Sequence, residues 1–100
     1  MSVAAERRSE ASQILNDEIA RLRALPYEEH LELSPVHVRE VVMPSGTKYT
    51  IESESFWDDP KEKDNLRVLV DVDAHVGRFE RRVHVHRGFI KAPDGSLIGE

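Results

Sequence analysis

Two segments in the second half of the chain alternate strictly between apolar and polar positions. They are Asp64–His75 and Glu80–Ile90. One side carries Val68, Val70, Val72, Val83 and Val85, and the other carries Asp71, Asp73, His75, His84 and His86. Period-two alternation is typical of a half-buried antiparallel strand pair. The pattern therefore predicts a hairpin with one face in the core and one face that bears carboxylates and imidazoles.

The register of this hairpin depends on where its turn lies. We expect the turn to be centred on Gly77 and Arg78, between the two alternating segments. The cross-strand pairs are then Val72 with Val83, Asp73 with Arg82, and Asp71 with His84. Oppositely charged side chains that face each other across a strand pair stabilise it.

A three- and four-residue apolar repeat near the N-terminus predicts an amphipathic helix from Val3 to Leu25. The stripe consists of Ala11, Ile14, Leu15, Ile19, Leu22 and Leu25. Pro26 follows directly and ends the helix. On its outer surface we expect Asp17 and Arg21 to pair at i,i+4 spacing. The apolar stripe is expected to pack on the valine face of the predicted hairpin.

A second hairpin is predicted around the turn sequence PSGT, which separates Val36–Met43 from Lys48–Ser55. We expect Ser45 and Gly46 at the turn centre. The resulting pairs are Val42 with Tyr49, Arg39 with Glu52, and His37 with Glu54, and Glu40 lies beside Ile51. The opposite charges across the pair favour this register, although it places a glutamate on the apolar side.

Shorter segments complete the predicted architecture. They are a helical turn at Tyr27–Leu33 anchored by Leu31 and Leu33, a charged loop at Phe56–Asn65, a tight turn at Ala92–Ser96 and an edge strand at Leu97–Ile98. The predicted fold is α+β, with one N-terminal helix packed on a four- to five-stranded antiparallel meander sheet. Residues 1–100 form a single domain, in which residues 1–8 are expected to fray.

Composition limits the functions that remain. The formal net charge of −5 argues against a nucleic-acid binder, which needs a clustered basic face. The chain has no cysteine, so a disulfide framework and a thiolate metal site are excluded. No apolar run approaches the roughly 18 residues of a membrane span. The first ten residues also lack the apolar stretch of a signal peptide. We therefore expect a cytoplasmic protein without nucleic-acid or membrane partners.

The order of several short motifs resembles a group of small uncharacterised bacterial proteins. The motifs are LPYEE, PSGTKYTIE, FWDD, a valine-rich strand and APDGSLIGE, and together they span Leu25 to Glu100. The chain departs from the pattern of that group at Arg81–Gly88, where two of its histidines lie. The resemblance implies no known activity, ligand or catalytic residue.

The histidines raise the possibility of a metal site. His84 and His86 share one strand face, and Asp71 is expected opposite His84. Two imidazoles and a carboxylate are suitable ligands for Zn²⁺ or Ni²⁺. His75 is too far along the strand to be expected as a third firm ligand, and the nearby Arg82 and Arg87 oppose a cation. The same residues also fit a solvated sheet face with cross-strand ion pairs.

A second candidate site is the run Trp57, Asp58 and Asp59 at the end of a predicted strand. A tryptophan beside acidic residues can form a binding hot spot. Alternatively, one of Phe56 and Trp57 covers the core, because neighbouring strand residues cannot point the same way. His30 and His37 are expected to be exposed.

The leading interpretation is a non-catalytic protein that acts through a protein partner or as a weak homodimer. One helix covers only one sheet face, and edge strands remain available for pairing. The second face is expected to carry Val41, Met43, Leu69 and Ile90 among polar residues. No catalytic residue and no cofactor are predicted. The alternative is a metal-binding or hydrolytic protein that uses Asp71, His84 and His86.

Overall fold

An N-terminal helix packs on one face of a five-stranded antiparallel sheet in the computed structural model of the protein. The structure describes residues 3–31, 36–77 and 82–98. Its elements are α1 (Val3–Arg23), α2 (Tyr27–Leu31), β1 (His37–Val42), β2 (Lys48–Trp57), β3 (Leu66–Ala74), β4 (His84–Lys91) and β5 (Leu97–Ile98). The strands lie in chain order, so the predicted α+β meander is confirmed. Among the described residues, no helix is long and apolar enough to cross a membrane.

The core lies between α1 and the sheet, as the two apolar patterns predict. On the helix, the buried residues include Ala11, Ile14, Leu15, Ile19 and Leu22. On β3, the buried residues include Val68, Val70 and Val72, and Val83 is buried just before β4. Val85 is half-buried at the margin of this cluster. The central strand β3 alternates strictly between buried and less buried positions, because its second face is not covered by a helix.

The end of α1 is fixed by a buried lysine. The helix ends at Arg23, shortly before Pro26. Lys91 of β4 is 5% exposed, and its Nζ donates a hydrogen bond of 2.6 Å to the backbone carbonyl of Arg23. A cation at a helix C-terminus satisfies a free carbonyl and complements the helix dipole. The structure keeps residues 3–8 helical, and the fraying of the N-terminus stays a prediction.

The register of the first hairpin differs by one residue from the predicted one. Gly46 has a φ of 90°, and the Met43 N–H donates to the Thr47 carbonyl at 3.0 Å. The loop therefore contains three residues and ends in a left-handed glycine, a common hairpin geometry. The observed pairs are Val42 with Lys48, Arg39 with Ile51, and His37 with Ser53. The predicted pairs are wrong because the loop has three residues and not the two of the predicted turn.

This one-residue difference reverses the two faces of β1. Glu40 is opposite Thr50 and leaves the apolar side, which removes the unfavourable contact that the predicted register implied. Val41 and Met43 instead pack against the core on the helix side. The expectation that these two residues lie on the uncovered face is therefore wrong.

The second hairpin pairs two residues out of the predicted register. The observed pairs are Val72 with Val85, Asp73 with His84, and Asp71 with His86. The predicted partners Val83, Arg82 and His84 are therefore wrong. The Ala74 N–H donates to the Val83 carbonyl at 3.0 Å, so the connection between the strands is longer than a two-residue turn. Because the shift is even, every side chain keeps its predicted face. Arg78 of the predicted turn lies outside the described residues.

The segments between the hairpins follow the predictions only in part. β2 continues through Phe56 and Trp57, so the loop is shorter than expected. Phe56 is 42% exposed and Trp57 is half-buried, which confirms that the two aromatic residues do not share a face. Leu31 is exposed and does not anchor the connection after α2, and Leu33 lies outside the described residues. The turn at Ala92–Ser96 is confirmed, with Gly95 in the left-handed region.

Gly88 of β4 is expected to tolerate no side chain. It is opposite Leu69, and a Cβ at this position would lie 2.5 Å from Leu69 Cδ2 and 2.8 Å from the Val68 carbonyl oxygen. We expect Gly88→Ala to lower the free energy of unfolding by about 1–3 kcal/mol in urea titrations, as overpacking does. Adding Leu69→Ala should restore only part of the loss, because the backbone oxygen remains. A Gly88→Ala variant as stable as the parent would contradict this packing.

Candidate functional site

The described helices cover only one of the two faces of the sheet. Both helices pack on the same face, where His30 of α2 contacts Phe89 of β4. The other face is called the open face here, because no described element packs on it. It takes the even-numbered positions of β1, β2, β4 and β5 and the odd-numbered positions of β3. The polar side chains predicted on the second hairpin all lie on this face.

His84 lies between two aspartates of the neighbouring strand. Its Nδ1 is 2.8 Å from Asp73 Oδ1, and its Nε2 is 3.3 Å from Asp71 Oδ1. Asp73 is directly opposite His84, whereas Asp71 is opposite His86. The prediction that Asp71 faces His84 directly is therefore wrong. Asp71 still contacts His84 diagonally, since the strand pair brings both carboxylates to one imidazole.

His86 completes a compact cluster. The rings of His84 and His86 lie 5.5 Å apart between centroids, with an angle of 50° between their planes. Asp71, His84 and His86 each offer one ligand atom, and these three atoms lie within 4.8 Å of one another. The structure thus brings together the three residues that the sequence singled out as candidate metal ligands. We call these three residues the His/Asp cluster.

Asp73 accepts hydrogen bonds from two residues on the open face. Its Oδ1 accepts hydrogen bonds from Arg82 at 3.0 and 3.3 Å as well as from His84. Partial burial alone would raise the pKa of Asp73, but the hydrogen bonds from His84 and Arg82 outweigh it and lower that pKa. Asp73 therefore remains ionised near neutral pH and holds the His84 ring from one side.

His75 does not belong to the cluster. It lies just after β3, and its Nε2 contacts the Thr50 hydroxyl of β2. Its backbone N–H donates to the Lys48 carbonyl at 2.8 Å. His75 therefore closes the end of the β2–β3 pair and lies at a distance along the strand from His86, as expected from the sequence.

In the second candidate site, Asp58 and Asp59 accept hydrogen bonds from neighbouring residues of the same chain. Arg67 donates to Asp58 Oδ1 at 2.8 and 3.1 Å, across the end of the β2–β3 pair. Asp59 accepts the backbone N–H of Lys61 at 2.9 Å and thereby shapes the following turn. Trp57 lines a shallow groove on the helix side together with Leu31 and Leu66. A binding role for Trp57, Asp58 and Asp59 stays a prediction.

One end of the open face carries three apolar side chains and one arginine in a row across the strands. Phe56, Arg67, Ile90 and Ile98 follow one another across four strands in a single row. Phe56 and Ile98 are 42% and 41% exposed. In the next row, Leu69 lies against Gly88. From β2 to β5, the open face thus has a mainly apolar end, called the apolar end, and a charged end that holds the His/Asp cluster. Val38 and Val42 are also exposed on this face, on β1.

A buried charge cluster between α1 and β1 was not predicted. Glu18 has a side chain that is only 2% exposed, and it receives Nη2 of Arg21 at 2.5 Å and Nη2 of Arg39 at 2.6 Å. Arg21 thus pairs with Glu18, so the expected Asp17–Arg21 pair is wrong. Burial would raise the pKa of Glu18, but the hydrogen bonds from both arginines outweigh it and lower that pKa. The available signal was that Glu18 occupies a position of the apolar stripe.

His30 is fully buried, so the expectation that it is exposed is wrong. Its ring meets Phe89 edge to face at 5.7 Å, and its backbone carbonyl accepts a hydrogen bond from the Ser55 hydroxyl. Burial is the main cause that lowers the pKa of His30, and the nearby Lys91 adds to it. His30 is therefore a neutral core residue. His37 is exposed, as expected.

Comparison with known proteins gives no relative. No protein-family model, no curated protein and no solved structure matches the chain. The resemblance to the group of small bacterial proteins therefore stays a prediction.

Proposed function

We propose that the protein is a non-catalytic cytoplasmic protein that acts by self-association through its open face. One observation carries this proposal. From β2 to β5, the open face combines exposed apolar side chains at one end with aspartates and histidines on neighbouring strands at the other. Exposed apolar patches rimmed by polar residues are typical of protein interaction sites. An open sheet face also offers little of the concavity that catalysis needs.

Hydrogen-bonding complementarity supports a second copy of the chain as the partner. The acidic residues Asp71 and Asp73 lie on β3, and His86 and His84 lie opposite them on β4. Two open faces can meet around a two-fold axis that runs parallel to the strands, between β3 and β4. This axis places β3 of one copy over β4 of the second copy. Each aspartate then lies over the histidine of the second copy. An axis perpendicular to the strands would instead place each charged end over an apolar end.

The same axis matches the apolar ends. It exchanges β2 with β5 and places Phe56 over Ile98 of the second copy. β1 then lies outside the contact. Such an isologous contact closes on itself and gives a dimer. Two sheets packed with nearly aligned strands are a common arrangement in β-sandwiches.

Self-association is tested by the mass of the particle in solution. Light scattering over a hundredfold concentration range should show a mass that rises above the 11.4 kDa of one chain. Phe56→Lys should keep the particle monomeric over the same range, since it places a charge in the apolar contact. Val42→Lys is the matched control, because Val42 is 61% exposed on the same face but lies on β1.

Two outcomes would contradict the proposal. A monomeric mass at the highest concentration excludes self-association. Equal loss of association in Phe56→Lys and Val42→Lys would show that the dimer does not use the proposed axis. Circular dichroism of each variant confirms that the fold is retained.

A further inference from the structure

We propose that Asp71, His84 and His86 bind one divalent transition-metal ion, Zn²⁺ or Ni²⁺, on the open face. All three ligands belong to one chain, so the site needs no second copy, although the proposed contact between two open faces would cover the same residues. The ligands come from adjacent strands, with His86 directly opposite Asp71 and His84 two residues before His86. A strand pair is a rigid support for such a set, because the backbone hydrogen bonds fix the spacing of the three side chains.

The distances are close to those of a metal centre. Metal–ligand bonds to imidazole nitrogen and carboxylate oxygen are about 2.0–2.2 Å long, so two ligands of a tetrahedral ion lie roughly 3.3–3.6 Å apart. His84 Nε2 and Asp71 Oδ1 are 3.3 Å apart. All three ligand atoms lie within 4.8 Å of one another. His86 is exposed, so a small rotation of its ring can close the remaining gap.

The contact between Asp73 and His84 is a second feature that is typical of a metal-binding histidine. Its Oδ1 lies 2.8 Å from Nδ1 of His84, on the far side of the ring from Asp71. An ionised carboxylate in this position accepts a hydrogen bond from Nδ1–H, which leaves the Nε2 lone pair on the side of Asp71. Histidines that bind metals typically donate their other N–H to a carboxylate in this way. Asp73 is therefore a positioning residue for His84.

The charges of the site favour a divalent ion of this class. Two neutral imidazoles and one carboxylate carry a single negative charge, and imidazole suits zinc, nickel and copper better than magnesium or calcium. The sequence suggested that Arg82 and Arg87 would oppose a cation. Arg82 is bound to Asp73, and Arg87 points to the helix side, where it donates to Asn16 of α1 at 3.3 Å. Neither arginine thus contacts the three ligands in the structure.

Titration of the tag-free protein with ZnCl₂ tests the site. Calorimetry should give one ion per chain. Long-range ¹H–¹⁵N spectra should show that the ring signals of His84 and His86 change at one equivalent, whereas those of His37 and His75 do not. Asp71→Asn and His86→Gln should each weaken binding at least tenfold. His37→Gln is the matched control, an exposed histidine on β1, and should bind as the parent does.

A variant of Asp73 tests the positioning role. Asp73→Ala should weaken zinc binding by about 10–100-fold, as loss of a carboxylate behind a metal-bound histidine does. The same spectra should show that the His84 proton moves from Nδ1 to Nε2 before metal is added, a change that a purely structural role would not produce. Phe56→Lys is expected to stay monomeric and should still bind one zinc ion per chain, which separates this site from the proposed dimer.

The metal site is excluded by any of three results. These are the absence of saturable zinc binding, unchanged affinity in both Asp71→Asn and His86→Gln, and changes at His75 in place of His86. Because the substituted side chains are exposed or half-exposed, the variants should keep the fold, and circular dichroism checks this.

Discussion

Leu22→Ala is expected to lower the free energy of unfolding by about 2–5 kcal/mol, the range for leucines truncated in a packed core. Leu22 is 0% exposed and belongs to the cluster that joins α1 to the sheet. The substitution removes apolar contacts and leaves a cavity that the sheet beneath the helix cannot fill without moving. Urea titration followed by circular dichroism measures the change. For a domain of 100 residues, such a loss is a large share of the total stability.

Leu31→Ala is the matched control for this prediction. Leu31 has the same side chain at the end of α2, but it is 43% exposed. We expect its truncation to cost less than about 1 kcal/mol, because little additional surface becomes exposed to water. Equal losses for Leu22→Ala and Leu31→Ala would contradict the placement of the core, and would favour the anchoring role that the sequence suggested for Leu31.

Much of the core could be predicted, because its side chains repeat with the period of the helix or strand that carries them. The stripe on α1 and the valines of β3 were identified on that basis and are buried. Strand registers could not be predicted to the residue. Strand registers depend on loop length. The loop before β2 has three residues and ends in Gly46, so the faces of β1 are reversed relative to those that a two-residue turn would give.

The three candidate ligands lie together although the predicted register of their strands is wrong by two residues. A shift of two residues leaves each side chain on its face and moves it by one step along the neighbouring strand. Asp71 thus exchanged one histidine for another as its direct partner, and the three candidate ligands still lie together. The carboxylate behind His84 was not assigned, because the predicted register placed Asp73 opposite Arg82.

The buried polar residues could not be predicted, because their partners are distant in the sequence. His30 is a lone histidine in a short charged helix, so the sequence gives no sign that Phe89 and Ser55 come from distant strands to cover it. Glu18 interrupts the apolar stripe of α1, but its second partner, Arg39, lies 21 residues away on an edge strand. Arg39 lies on the helix side because the three-residue loop ending in Gly46 sets the register of β1 against β2.

Replacing both arginines that face Glu18 is the second substitution with a large expected effect. In Arg21→Met with Arg39→Met, the buried carboxylate loses both partners, and we expect a loss of about 3–5 kcal/mol at neutral pH, the cost of an uncompensated buried charge. Either single variant should lose less, since one guanidinium remains. Arg67→Met is the control, because its pair with Asp58 is more exposed and should contribute at most about 1 kcal/mol.

The pH dependence of stability identifies Glu18 as the cause of this loss. In the parent, the pKa of Glu18 is lowered, so its contribution is present above the pKa of the unfolded chain and disappears as pH falls through the folded value. In the double variant, burial acts alone and raises the pKa. Acidification then protonates the carboxyl and relieves the penalty, so the stability difference from the parent should shrink as pH falls from 7 toward 4. Urea titrations at several pH values measure this, and a difference that stays constant would show that the loss comes from packing and not from the buried charge.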